Sequence, residues 1–156
     1  MNISDNGVKF ISDQEGFRSS PYLDIVGVCT IGYGSTHYTD GTKVTMQDLP
    51  ITELQGQAML RNYVDTKDSP WISQNLPNLT QNEFDALCSF CYNLGLGDLE
   101  NSSAKNAIIA GSSCATIATD MDKWDMAAGR VIQGLLERRQ READLYCNGN
   151  YGPNIN

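Results

Sequence analysis

Two acidic residues and a threonine near the start of the chain, Glu15, Asp24 and Thr30, have the spacing E-x8-D-x5-T. Breaking a glycosidic bond needs one carboxylic acid that protonates the leaving oxygen, and a second acidic or polar group that steers water or stabilises the positively charged sugar ring. The three residues could supply these groups if the chain brings them to one gap. The same spacing is also common by chance, and in that case the two acids lie on a solvated surface.

Local signals predict the elements that hold these residues. Ser4 can cap a first helix that ends near Gly16, which places Glu15 at the C-terminal end of that helix. From Arg18 to Thr45 the composition changes to Gly, Thr, Tyr and Val, and Asp40-Gly41 is a hairpin turn signal. We therefore expect a small antiparallel sheet in this region, which contains the other two candidates.

The rest of the chain has the signals of helices. Thr52 and Gln55 form a predicted capping box for a helix that can connect the sheet region to a second lobe, and Thr80 with Glu83 forms another box. The second box opens a helix with an apolar stripe at Phe84, Leu87, Cys88 and Cys91. Further helices are predicted at about residues 104–110, 114–121 and 135–146.

The chain shows no internal repeat, low-complexity tract or linker that would divide it. We predict one domain over residues 1–156 with two lobes. The N-terminal lobe covers about residues 12–60 with the small sheet, and a helical lobe covers about residues 61–156 together with the first helix. The cleft between two lobes is the natural place for a site.

Charge and hydropathy limit the classes of partner. The net charge of -8 argues against a nucleic-acid partner, because phosphates are neutralised by clustered Lys and Arg. The N-terminus contains no run of seven or more apolar residues behind a basic start. We therefore expect no signal peptide, no membrane insertion and synthesis in the cytosol.

The five cysteines form an odd set. In a chain of cytosolic origin, an odd set favours free and mostly buried thiols over a disulfide framework. Cys88 and Cys91 are the only close pair, and the single histidine, His37, is far away in sequence, so we predict no metal site and no cofactor. We interpret Cys29 as a packed side chain; the alternative is a thiol near the acid that makes an enzyme sensitive to oxidation.

Three further segments carry a resemblance to a known family. Thr30 continues as TIGYG, and it is followed in order by EFDALCSFCYNLG at 83–95, by Trp124 with an acidic residue after it, and by GLLERRQREADLY at 134–146. With these segments the chain resembles the phage-type lysozymes, glycoside hydrolase family 24, over about residues 8–146. The resemblance implies a lysozyme-like α+β fold that is mostly helical, with a small antiparallel sheet in the N-terminal lobe.

The resemblance also implies roles for the three candidates. Glu15 matches the family's general acid, Asp24 matches the residue that assists water attack or stabilises charge, and Thr30 matches the residue that helps to place the water. The implied reaction is hydrolysis, with inversion, of the β-1,4 linkage between N-acetylmuramic acid and N-acetylglucosamine in bacterial peptidoglycan. We expect a monomer that needs no cofactor.

Other residues are predicted to line the cleft. Tyr22, Tyr33 and Asn93 offer aromatic faces and an amide group, which suit sugar rings. The hairpin departs from the family in one respect. Family members commonly place His after the GYG stretch, whereas this chain has Ser35 there and His37 two residues later. We expect a local shift of the hairpin.

The resemblance indicates that Arg138 approaches Glu15 from the helical lobe and contributes to the site. An acid that donates a proton is favoured by burial, whereas a nearby Arg favours its ionised form. The alternative for Arg138 is surface pairing with Glu142, its i,i+4 partner. For Arg139 and Arg141 we favour the surface.

Three hypotheses describe the activity. The leading one is a hydrolase of the phage endolysin class, which stays in the host cytoplasm until a separate protein permeabilises the membrane and then acts in the periplasm or cell wall. In the second, the muramic 6-hydroxyl attacks and releases an anhydro sugar; Asp24 and Thr30 weigh against it, because that route needs no water. The third is a noncatalytic wall-binding or inhibitor-like module, which the intact set of three candidates disfavours.

Overall fold

The protein is mostly helical, with a two-stranded antiparallel sheet near its N-terminus and a second short strand pair, which confirms the predicted fold class. The computed structural model describes residues 1–76, 78–127 and 130–152. The elements are α1 (Asp5–Glu15), β1 (Arg18–Leu23), β2 (Cys29–Gly32), α2 (Glu53–Tyr63), a π-helical turn (Val64–Asp68), α3 (Ser69–Asn75), α4 (Gln81–Leu94), α5 (Leu96–Glu100), α6 (Ser103–Ile109), α7 (Cys114–Asp122), β3 (Met126–Ala127), β4 (Arg130–Val131) and α8 (Gln133–Asn148).

The first helix begins and ends where the sequence predicts. The Ser4 hydroxyl accepts the Gly7 amide at 2.9 Å, which satisfies one of the free donors at the start of α1. Gly16 follows the helix with a φ of 72°, a conformation that favours glycine. Ile11 is buried and lies four residues before Glu15. The last turn therefore carries Glu15 on the inner face of the helix.

The N-terminal sheet lies earlier in the chain than the predicted hairpin turn. β1 pairs with β2, with Tyr22 opposite Thr30, and the register shifts between Arg18 and Tyr22. Asp40-Gly41 does form a tight turn, in which the Gly41 amide donates to the Tyr38 carbonyl at 3.0 Å. This turn closes an isolated bridge between residues 37 and 43 and not the ladder of the sheet. Both sheet and turn fall within the predicted region.

Both predicted capping boxes are present, at Thr52 with Gln55 and at Thr80 with Glu83. The apolar stripe of α4 is buried, as predicted. The bounds of α6, α7 and α8 agree with the predicted helices to within two residues. Within the residues that the structure describes, no helix is both long and apolar enough to cross a membrane.

Buried apolar side chains form two clusters. The larger cluster joins α1, α2, α4 and the C-terminal helices, and α4 is fully buried from Phe84 to Phe90. The smaller one consists of Ile31, Val44 and Met59 beneath the sheet region. The division into two lobes near residue 60 stays a prediction, and this separation of the clusters supports it.

The prediction that all the thiols are free is wrong for one pair. Cys114 and Cys147 form a disulfide between α7 and α8, with Cα atoms 5.6 Å apart. The two helices pack against each other, and this brings together residues separated by 33 positions. The number of cysteines carries no information about such packing. Cys88 and Cys91 are free and buried, as predicted, and Cys29 is free and packs against the smaller cluster.

A π-helical turn, Val64–Asp68, follows α2 directly. Asp68 ends this turn and is 2% exposed. Within the described ranges, its Oδ2 atom has no hydrogen-bond partner. Burial without partners penalises a carboxylate, and it raises the pKa of Asp68 to about 7.

Replacing Asp68 by Asn is expected to raise the free energy of unfolding by about 2 kcal/mol above neutral pH. The pKa of Asp68 is raised in the folded protein, so protonation of this side chain favours the folded state. This contribution to stability is complete below the pKa of an unfolded aspartate, about 4, and is lost as the pH rises through about 7. Asparagine carries no charge at either pH.

Urea unfolding at about pH 4 and about pH 8 measures this effect. The two proteins should differ at the higher pH and nearly coincide at the lower one. A Glu100→Gln variant, which changes an exposed acid, serves as the control and should stay within about 0.5 kcal/mol of the wild type. An equal difference between Asp68→Asn and wild type at both pH values would contradict the prediction.

Candidate active site

Glu15 lies in the wall of an open groove of about 750 Å³. One side of the groove is the segment from Gly34 to Gly41, and the other side is a face of α2 and the π turn with Met59, Asn62, Tyr63, Thr66 and Lys67. The Glu15 side chain is 22% exposed. It is therefore partly shielded from water, yet open to a ligand in the groove.

Arg138 holds Glu15 from the opposite element, α8. Its Nη1 atom lies 2.7 Å from Glu15 Oε1, and its side chain is 10% exposed. At this distance the two opposite charges form an ion pair. The structure thus places Arg138 against Glu15. Arg138 also pairs with Glu142, its i,i+4 partner, but this pair is buried, so its expected position at the surface is wrong.

A second buried acid, Glu142, lies between two arginines of α8. Arg138 Nε donates to Glu142 Oε1 at 3.2 Å, and Arg139 Nη2 donates to the same oxygen at 3.1 Å. The Ser89 hydroxyl of α4 also donates to it, at 2.7 Å. Burial raises the pKa of Glu142, and the two guanidinium groups oppose this shift. The network fixes the position of Arg138, and through it the position of Glu15.

The prediction that Arg139 lies at the surface is wrong. Arg139 is completely buried, and its guanidinium group lies over the ring of Phe90, 5.0 Å from the centroid. Its burial is possible because Glu142 on the same helix supplies the opposite charge, and the Asn93 side chain of α4 accepts a hydrogen bond from it. Arg141 is exposed, as predicted, and it lies over the ring of Phe10, 5.4 Å from the centroid.

Asp24 begins the turn that joins β1 to β2. Its Oδ1 atom accepts the amides of Val26 at 3.0 Å and Val28 at 2.8 Å. An Asp side chain that accepts amides two and four residues later is typical of a tight turn. The local sequence therefore folds the turn around this carboxylate and fixes its orientation.

Thr30 lies on β2 and is 3% exposed. Its hydroxyl donates to the Val28 carbonyl at 3.0 Å, which leaves its oxygen able to accept a hydrogen bond. Asp24 and Thr30 thus belong to one hairpin, and two residues separate Glu15 from the start of that hairpin at Arg18. The residues that line the groove include Glu15 but neither Asp24 nor Thr30.

The predicted sugar-contacting residues have different surroundings. Tyr33 lines the groove, although it is 5% exposed and packs on Phe17. Tyr22 lies in the hairpin with the Arg18 guanidinium over its ring. The Asn93 side chain accepts a hydrogen bond from Arg139 at 2.9 Å and is not among the groove residues. Their role in substrate binding stays a prediction.

The sequence analysis missed Tyr92, which lies between the groove and the charged network. Its hydroxyl donates to the Tyr33 carbonyl at 2.7 Å, and burial, followed by the charge of Glu15, raises its pKa. Ser35, in the position where the family commonly has His, is buried beside it. Its position four residues after Cys88, on the buried stripe of α4, is the feature of the sequence that could have indicated Tyr92.

No group of three or more His, Cys, Asp or Glu side chains is placed to hold a metal ion within residues 1–76, 78–127 and 130–152. The acid–arginine contacts described above need no metal to balance their charge, because Glu15 and Glu142 face Arg138 and Arg139. The chemistry that these residues offer is proton transfer from a fixed carboxyl group.

Comparison with known proteins identifies the family of this chain. A family model described as phage lysozyme matches residues 12–142. The chain belongs to the phage lysozyme family. This family member is 36% identical over 151 residues to the endolysin of Bacillus phage PZA; the match covers 96% of this chain and 56% of that relative, so the chain spans about half of the relative's length. It is 31% identical to the endolysin of Salmonella phage P22, with 95% and 99% covered.

This chain shares the phage lysozyme fold with proteins of known structure. The endolysin from Escherichia coli O157:H7 phage FAHEc1 is 32% identical, with 98% of each chain covered and a TM-score of 0.86. The muramidase domain of SpmX from Asticaccaulis excentricus is 30% identical, with 92% of this chain and 96% of that chain covered and a TM-score of 0.76. The expected lysozyme-like fold is thereby confirmed.

Proposed function

We propose that this phage lysozyme family member is an endolysin-type muramidase. It hydrolyses the β-1,4 linkage between N-acetylmuramic acid and N-acetylglucosamine in bacterial peptidoglycan. The observation that carries the proposal is Glu15, a partly buried acid in the wall of an open groove, paired with Arg138. Cleavage of a glycosidic bond requires an acid at the leaving oxygen, and Glu15 is that acid.

Asp24 and Thr30 complete the proposed mechanism. The two turn amides that bind Asp24 hold its carboxylate in one orientation, which suits a group that activates water or stabilises the charged ring. The Thr30 oxygen helps to place the water. Attack from the face opposite the leaving group inverts the anomeric centre.

The proposed substrate sites and setting follow from the same reaction. Tyr22, Tyr33 and Asn93 contact the sugar rings, and Arg138 positions Glu15. The enzyme acts as a monomer on peptidoglycan without a cofactor. It reaches the periplasm or cell wall from the host cytoplasm after a separate protein has permeabilised the membrane.

Incubation with purified peptidoglycan tests the proposal. Hydrolysis creates new reducing ends, and mass spectra of the released fragments should show muropeptides with a reducing muramic acid. If all the fragments carried anhydromuramic acid, the reaction would be intramolecular attack and not hydrolysis. Binding to insoluble wall without any new ends would instead favour a noncatalytic wall-binding module.

A further inference from the structure

Glu15 is the first member of a series of four charged side chains that runs into the interior of the helical lobe. Arg138 Nη1 lies 2.7 Å from Glu15 Oε1, and Arg138 Nε lies 3.2 Å from Glu142 Oε1. Arg139 Nε lies 2.9 Å from Glu142 Oε2. The charges therefore alternate in sign from Glu15 through Arg138 and Glu142 to Arg139.

The hydrogen bonds around Glu142 favour its ionised form. The Ser89 hydroxyl, Arg138 Nε and Arg139 Nη2 donate to the same oxygen, at 2.7, 3.2 and 3.1 Å. Gln14 of α1 donates to the Ser89 oxygen at 3.2 Å, which orients the hydroxyl toward Glu142. Donors that converge on a carboxylate stabilise its charge. Burial raises the pKa of Glu142, but the guanidinium groups and Ser89 oppose this shift, so Glu142 brings a negative charge to the series.

Arg139 lies close enough to Glu15 for their charges to interact. Burial lowers the pKa of Arg139, and the charges of Glu142 and Glu15 are among the causes that oppose this shift. The interaction is mutual, so Arg139 adds to the effect of Arg138 and favours the ionised form of Glu15. A general acid must instead hold its proton until the leaving oxygen takes it. Glu142 pairs with Arg139 and shares Arg138, and it thereby reduces the positive charge that Glu15 meets.

Titratable groups outside this series also lie near Glu15 or line the groove. Burial, followed by the charge of Glu15, raises the pKa of Tyr92, which is therefore uncharged at neutral pH. Asp13 on the same helix pairs with Lys9 at the surface. Further groups on the facing elements are Asp24 in the hairpin and His37, Tyr38, Tyr63 and Lys67 along the groove. The variants described below leave all of these groups in place, so they form a constant background.

We propose that Glu142 is a positioning residue that lets Glu15 keep its proton beside Arg138, and that it thereby sets the upper pH limit of hydrolysis. This inference rests on the proposed function, because it concerns the proton of the proposed general acid. Glu142 is completely buried, so it acts through Arg138 and Arg139 and not on the substrate. Its charge offsets one of two guanidinium charges that would otherwise both favour the carboxylate form of Glu15.

The test is the pH dependence of kcat/KM on purified peptidoglycan, measured from new reducing ends. The alkaline limb of this profile reports loss of the proton that the general acid must hold. Glu142→Gln is expected to move the limb to lower pH by about one pH unit. Arg139→Gln removes a positive charge and should move the limb to higher pH. The double variant Arg139→Met with Glu142→Leu removes one charge of each sign and should return the limb close to that of the wild type.

The direction of these changes separates a role in proton transfer from a structural role. A variant that only loosens the fold loses activity at every pH and keeps the limb in place. If Glu142→Gln does not fold, the limb of Arg139→Gln alone decides the question. Glu137→Gln, which removes the same charge from an exposed position of α8, is the matched control and should keep the wild-type limb.

A limb that stays at the wild-type pH in Arg139→Gln, or in a folded Glu142→Gln protein, would overturn the inference while the muramidase activity stood. Shifts of both single variants in the same direction would also overturn it, because opposite charges must act in opposite directions. A wild-type protein that releases no reducing ends at any pH would overturn the proposed function, and the inference with it.

Discussion

A Glu15→Gln variant is expected to hydrolyse purified peptidoglycan about 10² to 10⁴ times more slowly than the wild type. Glutamine has nearly the same shape as glutamate but cannot donate a proton to the leaving oxygen. The groove and its aromatic walls remain, so binding to the wall should change little. The measurement is the initial rate of formation of reducing ends at equal protein concentration.

The control for this variant is Asp13→Asn, which changes an exposed acid on the same helix that pairs with Lys9 at the surface. It should keep the wild-type rate. Loss of the charge of Glu15 also removes a partner of Arg138, so the urea unfolding midpoint of Glu15→Gln must be measured to separate lost chemistry from lost structure. A folded Glu15→Gln protein with the full lytic rate would refute the assignment of the general acid.

The parts of the fold that could be predicted from the sequence depend on contacts within a few residues. Ser4 caps the amide of Gly7, and Thr52 and Thr80 each form a box with the residue three positions later. These contacts are local, so the residue types alone reveal them. The position of Glu15 at the end of α1 follows from the same kind of signal, because Gly16 ends the helix.

The contacts that could not be predicted join distant segments. The disulfide between Cys114 and Cys147 depends on how α7 packs against α8, and neither helix contains a signal for it. The contact of Arg138 with Glu15 came from the family resemblance and not from the spacing of charges. The residues alone are equally consistent with a pair at the surface, because charged residues are usually exposed.

The buried charges were the least visible part of the site. The segment VDTKD around Asp68 has the composition of a solvated helix face, yet Asp68 is buried there. The same holds for Arg139 and Glu142, which have the i,i+3 spacing of an ordinary surface pair. Composition does not reveal which face of a helix packs inward, so these residues required the structure.

The buried network on α8 leads to the second large expected effect. Glu15 and Glu142 balance Arg138 and Arg139, and all of them except Glu15 are at least nine-tenths buried. Taking charges out of water costs several kcal/mol for each ion, and only the opposite charges offset that cost. Removing one acid therefore leaves a guanidinium group buried without compensation.

Glu142→Gln is accordingly expected to lower the free energy of unfolding by about 3 to 5 kcal/mol, measured by urea unfolding. Glu137→Gln, an exposed change on the same helix, should stay within about 0.5 kcal/mol of the wild type. A double variant that replaces Arg139 by Met and Glu142 by Leu should regain much of the loss, because it removes the buried pair together and leaves Arg138 with Glu15. If the double variant were no more stable than Glu142→Gln, the loss would come from packing of the Glu142 side chain and not from an uncompensated charge.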